Sequence, residues 1–177
     1  GMLLPEIRLT DNSGLQQGHY RILVQGVEQV RDQLQPGRVL ALLGAPGGDG
    51  PAGDDVEEPV YGAPARWIDP TPQEAASLSG LTTVQPTEVL ATHLLEVIKQ
   101  NFGRLMTFKA LRKLLDEMCN LSDSARAEAN KKMLDELIPD KVPVDVLLSV
   151  MRLLLEERVS IRNLTLIVEA CAEGRQL

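Results

Sequence analysis

Two histidines and many acidic side chains are the residues of this chain whose types could support acid–base chemistry. His19 and His93 stand far apart, and neither has a partner motif nearby. His93 follows Thr92 in an apolar helical pattern, which is typical of a hydrogen-bonded or interfacial histidine. The carboxylates fall on helix surfaces, and no G-x-S-x-G string marks a serine nucleophile. The sequence therefore predicts no catalytic residue and no enzyme.

Metal and cofactor sites have two candidate sources, the cysteines and a Gly-rich acidic stretch at 44–58. Cys119 and Cys171 lie at apolar positions without a second Cys or His at ligand spacing, so we expect buried free thiols in a reducing compartment. The stretch lacks a G-K-[ST] ending and the ligand spacing of a calcium loop, and its carboxylates would repel a phosphate. We predict no metal and no cofactor, and a mobile surface loop at 44–58.

Partner binding is indicated at Tyr61, between Pro59 and Gly62 beside the acidic stretch. An aromatic ring presented in this way can anchor a protein partner. A half-buried tyrosine that closes a small sheet is the alternative, and spacing alone leaves both readings open. A net charge of −7 argues against a nucleic-acid partner.

The elements that must position these residues divide the chain into unlike halves, and we predict an α+β fold. The N-terminal half has strand patterns at 6–9, 19–26, 27–34, 39–43 and 81–84, a strand at Trp67, and a short helix from Thr71 to Ser77. Small mixed β/α subdomains are expected here. The Gly1-Met2 start is typical of an expression scar, and we expect a piece of a longer protein.

The second half reads as helix throughout. A long helix over 85–102 should begin at Pro86 and end at Gly103. Helices are then predicted at 108–118, capped by Thr107, at 124–138, at 144–157, and at 161–172, capped by Ser160. Their short connections predict a compact all-helical subdomain.

Four strings spread along the chain resemble the FHIPEP family of type III export-gate proteins, which has flagellar FlhA and injectisome SctV branches. They occupy residues 20–42, 58–69, 91–101 and 153–173, in the family's order. The strings YGAPARW and ATHL favour the flagellar branch. An injectisome paralogue is the alternative, and a small-molecule or nucleotide-binding regulatory module is the alternative from another class.

The resemblance implies a soluble fragment of a protein anchored in the bacterial inner membrane through an absent N-terminal region, lying on the cytoplasmic face. It implies that residues 1–36 and 86–103 are the latter part of a first subdomain, 37–85 an inserted second, and 104–177 a helical third. The family's cytoplasmic part forms a homo-oligomeric ring. Its implied partners are other export-apparatus proteins and export chaperones with late substrates.

Three residues correspond to the family's chaperone–substrate docking site: Glu58, Tyr61 and Thr92. The resemblance thus implies a non-enzymatic docking platform. The chain has Tyr where the family commonly has Phe, and Glu where Asp is common. It also reads Val-Ser-Ile-Arg-Asn at 159–163 where Val-Pro-Ile-Arg-Asp is usual, which exchanges a rigid helix start for a hydroxyl cap.

Overall fold

The fold is α+β, as the sequence predicts, with strands first and helices after them. The computed structural model describes residues 6–47, 50–70 and 80–174. Leu9–Lys99 forms one compact unit, the sheet unit, and residues 100–174 with residues 6–8 form another, the helical unit. Each is described by itself.

A two-stranded hairpin opens the sheet unit. Strand β1 (His19–Val24) pairs antiparallel with β2 (Val27–Gln33). Gln25 and Gly26 between them have φ values of 52° and 80°, the conformation of a type I′ turn, whose twist matches that of the paired strands. Ile22 and Val24 are buried whereas Leu23 is exposed, so one face of the hairpin packs inward.

A four-stranded antiparallel sheet follows, in the order β4-β5-β3-β6. Its strands are β3 (Val39–Leu42), β4 (Gly53–Glu57), β5 (Pro64–Ile68) and β6 (Thr83–Val84). The strand β3 is central and apolar on both faces, as its uninterrupted apolar sequence predicts. Leu40 lies on one face in a cluster with Ala65 and Trp67, and Val39 lies on the other with Ile68.

Helix α1 (Pro86–Gln100) covers the first of these faces. Val89 packs with Leu40 and Trp67. Val89, His93 and Val97 are buried at intervals of four residues, so they form one stripe of the helix. The histidine at position 93 is therefore carried into the apolar contact between helix and sheet.

Two predictions in the first half are wrong, and one lies outside the described residues. Residues 6–9 form no strand. The stretch 44–58 is not simply a loop, because it supplies β4, which pairs with β5 from Gly53↔Ile68 to Glu57↔Pro64. The helix predicted from Thr71 to Ser77 falls among residues that the structure does not describe.

The helical unit is built on one apolar core. Its helices are α2 (Phe102–Leu105), α3 (Phe108–Cys119), α4 (Ser124–Leu137), α5 (Val144–Glu156) and α6 (Leu164–Gly174). Leu111, Leu147, Met151 and Val168 are fully enclosed and bring α3, α5 and α6 together. Arg152 of α5 donates from Nε to the Met106 carbonyl at 2.9 Å and ties the end of α2 into this core.

Side-chain caps mark the starts of α3, α4 and α6. Thr107 Oγ1 accepts from the Ala110 N–H at 3.1 Å, as predicted, and Asp123 caps α4. The last helix begins at Leu164 rather than at residue 161, because the Asn163 side chain, not Ser160, accepts from its first turn, at Leu166 N–H. Ala125 and Ala129, in the first half of α4, are exposed.

Gly103 does not stop a helix. It lies inside α2, where a Cβ would be 2.7 Å from the Glu156 Oε1 atom. The long helix ends at Gln100, and the chain re-enters helix after Asn101. The glycine here faces the Glu156 side chain of α5 and does not form a left-handed cap.

The C-terminus of α5 predicts a stabilising substitution. Arg158 has φ 58°, and the N–H groups of Arg158 and Val159 donate to Leu155 and Leu154, which is a Schellman motif. Because glycine occupies this left-handed position without a Cβ clash, Arg158→Gly is expected to raise the free energy of unfolding by about 1 kcal/mol. Urea denaturation measures the change.

The neighbouring position supplies the control for this substitution. Glu157 has φ −78°, so Glu157→Gly adds only chain entropy to the unfolded state and should destabilise. If Arg158→Gly lowers the free energy of unfolding as much as Glu157→Gly does, the left-handed conformation of Arg158 does not destabilise the protein.

Candidate functional site

The Glu58 carboxylate organises the turn that carries Tyr61. It accepts from the Val60 N–H at 3.0 Å and from the Tyr61 N–H at 2.7 Å. The Glu58 N–H donates to the Ala63 carbonyl at 2.7 Å, and the Gly62 N–H donates to the Glu58 carbonyl at 2.9 Å. One acidic side chain thus satisfies two backbone donors and fixes the turn.

The Tyr61 ring lies on the surface, with 70% of the residue exposed. The alternative reading, a half-buried tyrosine that closes the sheet, is wrong. Its hydroxyl donates to Glu96 Oε1 at 3.1 Å, and that oxygen also accepts from Lys99 at 2.6 Å. The hydrogen bond to Glu96 raises the pKa of the Tyr61 hydroxyl, with further contributions from burial and from the Glu96 charge. The ring is exposed, but Glu58 holds the backbone N–H of Tyr61 and Glu96 holds its hydroxyl.

Thr92 lies on the same side of α1 as the residue that holds Tyr61. Thr92 and Glu96 are four residues apart, so their side chains are neighbours along one helix face, about 6 Å apart at Cβ. Thr92 is partly buried. The structure therefore brings Glu58 and Tyr61 into one turn and links Tyr61, through Glu96, to the helix face that carries Thr92.

A second pair beneath this surface is not evident from the sequence. The Tyr20 hydroxyl on β1 and His93 Nδ1 on α1 are joined by a hydrogen bond of 2.6 Å, and the rings meet edge to face, 5.8 Å apart. Burial raises the pKa of the Tyr20 hydroxyl well above its usual range, and the charges of Asp32 and Glu58 raise it further. The only sequence signal was a histidine within the apolar stripe of a helix.

The other candidate groups stay dispersed. His19 is partly exposed on β1, and its ring nitrogen lies 3.4 Å from the Gln17 carbonyl. Cys119 and Cys171 are free and partly buried, and burial raises the pKa of Cys171. Within residues 6–47, 50–70 and 80–174, no three His, Cys, Asp or Glu side chains are grouped to hold a metal ion. None of the helices in those ranges has the length and apolarity to cross a membrane.

The described part of the Gly-rich stretch has a structural use. A Cβ at Gly53 would lie 2.1 Å from the Trp67 carbonyl oxygen, so β4 can approach β5 only with glycine at this position. Asp54 binds Arg38 at 2.6 Å, and Asp55 binds Arg66. These residues are strand and ion-pair residues rather than a phosphate cradle.

The chain belongs to the FHIPEP family, whose model matches residues 1–177. It is 35% identical over 174 residues to the flagellar biosynthesis protein FlhA of Caulobacter vibrioides, a match that covers 98% of this chain and 24% of the relative. It is 34% identical over 173 residues to FlhA of Escherichia coli strain K12, with 98% and 24% covered. The chain thus spans about a quarter of the length of these curated relatives.

Solved structures share the fold. Chlamydia pneumoniae CdsV matches with a TM-score of 0.69 at 19% identity, over 94% of this chain and 47% of that one. CdsV in complex with CdsO matches with a TM-score of 0.69 at 21% identity, over 95% and 49%. Nonameric EPEC SctV-C matches with a TM-score of 0.51 at 22% identity, over 88% and 44%.

Proposed function

We propose that this chain is part of the cytoplasmic region of a flagellar type III export gate, where it serves as a docking platform for export chaperones carrying late substrates. The role is non-enzymatic and uses no cofactor. The observation that carries the proposal is the exposed Tyr61 ring, fixed by Glu58 at its backbone and by Glu96 at its hydroxyl, in a chain of the FHIPEP family.

The chemistry of this surface suits a protein partner. A tyrosine held at both ends loses little conformational entropy when a partner covers its ring, and aromatic anchors of this kind dominate interface energetics. Thr92 adds a hydroxyl on the neighbouring helix face, and the Glu58 carboxylate is already engaged with the turn. We therefore assign Tyr61 to contact and Glu58 chiefly to positioning.

The division into subdomains follows the family. We propose that 1–36 and 86–103 belong to a first subdomain, 37–85 to an inserted second, and 104–177 to a helical third. In support, all four strands of the larger sheet come from residues 39–84, and the described helices after residue 103 share one core.

The remaining partners are proposed from the relatives. The names of two of the solved structures describe a complex of CdsV with CdsO and a nonamer of SctV-C. We propose a further export-apparatus partner and a homo-oligomeric ring for the whole protein to which this chain belongs, with membrane attachment through a region outside these 177 residues. The location is then the cytoplasmic face of the bacterial inner membrane.

Tyr61→Ala tests the docking role. Binding of a flagellar chaperone–late-substrate complex from the same organism should weaken about tenfold or more, because the exposed anchor ring is lost. Isothermal titration calorimetry measures the dissociation constant. Tyr61→Phe keeps the ring but loses the hydrogen bond to Glu96, and should weaken binding less.

Phe108→Ala is the matched control. Phe108 is also a surface aromatic, 50% exposed, but it lies in the helical unit. Its loss should leave the dissociation constant unchanged. Equal binding by wild type and Tyr61→Ala, with both proteins folded, would remove Tyr61 from the docking surface.

A further inference from the structure

Strand β4 lies at one edge of the four-stranded sheet, because the order β4-β5-β3-β6 gives it a neighbour on one side only. The other edge strand, β6, has two residues, whereas β4 has five and no proline. All of Gly53–Glu57 is exposed except Val56, which is half-buried. Open edges of this kind bind extended peptides by adding them to the sheet. We define the β4 edge as the side of Gly53–Glu57 that faces away from β5.

Two backbone hydrogen bonds fix which groups of β4 lie on this edge. The Glu58 N–H donates to the Ala63 carbonyl at 2.7 Å, in the direction of β5. The Pro64 carbonyl accepts from the Leu43 N–H at 2.8 Å, on the β3 side. Glu57 lies opposite Pro64, so these two residues form a pair without hydrogen bonds between β4 and β5. The N–H and C=O groups of Glu57 therefore point away from β5.

The same alternation assigns the rest of the strand. Asp55 and Gly53 follow Glu57 at intervals of two residues, so their N–H and C=O groups also point outward, whereas Asp54 and Val56 bond to β5. Within residues 6–47, 50–70 and 80–174, the outward backbone groups of Asp55 and Glu57 have no hydrogen-bond partner. The edge thus offers donors and acceptors on every second residue, about 7 Å apart.

The Val56 face of β4 leaves room for a further side chain. Asp54 pairs with Trp67, and Val56 is two residues beyond Asp54, so Val56 and Trp67 lie on one face of the sheet. A cavity of about 130 Å³ on this face is lined by both of them, and also by Gln33 and Gln35 at the end of β2 and just after it. The end of β2 thus leaves a gap of side-chain size beside Val56.

The charge of the β4 edge selects its occupant. No Lys, Arg or His occurs from residue 39 to residue 65, and the flanking Arg38 and Arg66 are each engaged by a carboxylate of β4. Glu57 forms no ion pair within the part of the chain described. Two copies of β4 would set carboxylates against each other, which is destabilising. Acidic side chains therefore oppose pairing of this edge with a second copy but leave it open to a basic segment.

We propose that the β4 edge binds an extended, lysine- or arginine-containing segment of a partner protein, which joins the sheet as a strand beside β4. Its main chain exchanges hydrogen bonds with Asp55 and Glu57. Its basic side chains lie on the same face as Glu57, because directly opposed residues of two paired strands share a face. Its alternate side chains lie on the Val56 face, beside the cavity. This interaction does not depend on chaperone docking at Tyr61.

Amide hydrogen exchange tests strand addition directly. The peptide acetyl-Lys-Val-Lys-Thr-Lys-amide is titrated at low salt into the ¹⁵N-labelled chain of 177 residues. In the free chain, the Asp54 and Val56 amides should be protected by β5, whereas those of Asp55 and Glu57 should exchange rapidly. At saturation with peptide, exchange at Asp55 and Glu57 should slow by about tenfold or more.

A control peptide and two variants separate backbone pairing from charge. The same peptide with a backbone N-methyl group on each lysine keeps its charge but loses donors, so it should bind about fivefold more weakly and protect neither amide. Glu57→Pro removes an outward N–H and should weaken the unmodified peptide about fivefold, whereas Glu57→Gln removes only charge and should weaken it about twofold. Tyr61→Ala should leave this titration unchanged even where it abolishes chaperone binding, so each proposal can fail alone.

Three outcomes would overturn strand addition by a basic segment. Equal binding of the two peptides, or chemical-shift changes without slower exchange at Asp55 and Glu57, would mean that charge attraction alone accounts for binding. Protection of these two amides that rises with protein concentration in the absence of peptide would assign the edge to a second copy of the chain. The comparison of the two peptides uses the wild-type chain, so it decides the matter even if Glu57→Pro fails to fold.

Discussion

Replacing Trp67 by alanine is expected to lower the free energy of unfolding of the sheet unit by about 3–5 kcal/mol. Trp67 is 2% exposed and packs with Leu40, Ala65 and Val89, where the sheet meets α1. Its removal leaves a cavity that the strands on either side cannot collapse to fill, so lost burial and lost packing add together. Urea denaturation followed by far-ultraviolet circular dichroism measures the change.

Two further variants show how the loss of stability in Trp67→Ala should be interpreted. Trp67→Phe keeps a ring in the core and gives up only part of the volume, so it should cost clearly less than alanine. Leu153→Ala removes a side chain that is 60% exposed and should cost less than about 0.5 kcal/mol. Native-state hydrogen exchange should place the Trp67→Ala loss in Leu9–Lys99. If Trp67→Ala lowers the free energy of unfolding by less than about 1 kcal/mol, Trp67 is not tightly packed in this core.

Local signals were sufficient for much of the fold. The hairpin at Gln25-Gly26, the uninterrupted apolar run of β3 and the Thr107 cap each depend on residues a few positions apart, and the structure has all three. Their physical causes are turn geometry, burial on both faces and a single side-chain acceptor. Such causes can be read directly from neighbouring residues.

The errors occurred where a partner distant in sequence decides the structure. Residues 53–57 carry no apolar alternation and form a strand only because β5 offers an edge, with Gly53 fitting against the Trp67 carbonyl. Gly103 has the position of a helix stop but lies inside α2, where its Cα faces the Glu156 side chain of α5. Composition could not distinguish these uses of glycine, because each use depends on which atom of a neighbouring strand or helix faces the glycine.

In the candidate site, too, local signals were readable from the sequence and partners distant in sequence were not. Tyr61 could be singled out from its neighbours Pro59 and Gly62, but spacing could not decide whether its ring was buried. Nor could spacing identify the acceptor of its hydroxyl hydrogen bond, Glu96, which lies 35 residues further along the chain. The sequence indicates a hydrogen-bonded or interfacial histidine at position 93, and the structure confirms the hydrogen bond, but its partner Tyr20 is 73 residues away.

Replacing Tyr20 by phenylalanine is expected to destabilise the protein by about 1–3 kcal/mol at neutral pH. His93 is 7% exposed, and the substitution leaves its Nδ1 atom without the hydrogen bond of 2.6 Å that Tyr20 provides. A buried polar atom that loses its partner costs about this much. Urea denaturation at pH 7 measures the difference.

The same pair predicts how stability depends on alkaline pH. Burial, and then the charges of Asp32 and Glu58, raise the pKa of Tyr20 in the folded protein above the value of about 10 expected in the unfolded chain. Above pH of about 10 the unfolded state releases this proton while the folded state keeps it, so unfolding becomes more favourable as pH rises. The stabilisation is fully present below pH of about 10 and declines progressively above it.

Comparison of wild type with Tyr20→Phe isolates this contribution, because the alkaline effects of all other groups are common to both proteins. The stability difference between them should be largest below pH of about 10 and should narrow as pH rises further, since only the wild type has the Tyr20 proton to lose. Tyr61→Phe removes a surface hydroxyl instead and should retain most of the alkaline decline. A difference that stays constant from pH 8 to pH 11 would show that Tyr20 titrates alike in the folded and unfolded protein, and that the buried pair contributes only its hydrogen bond.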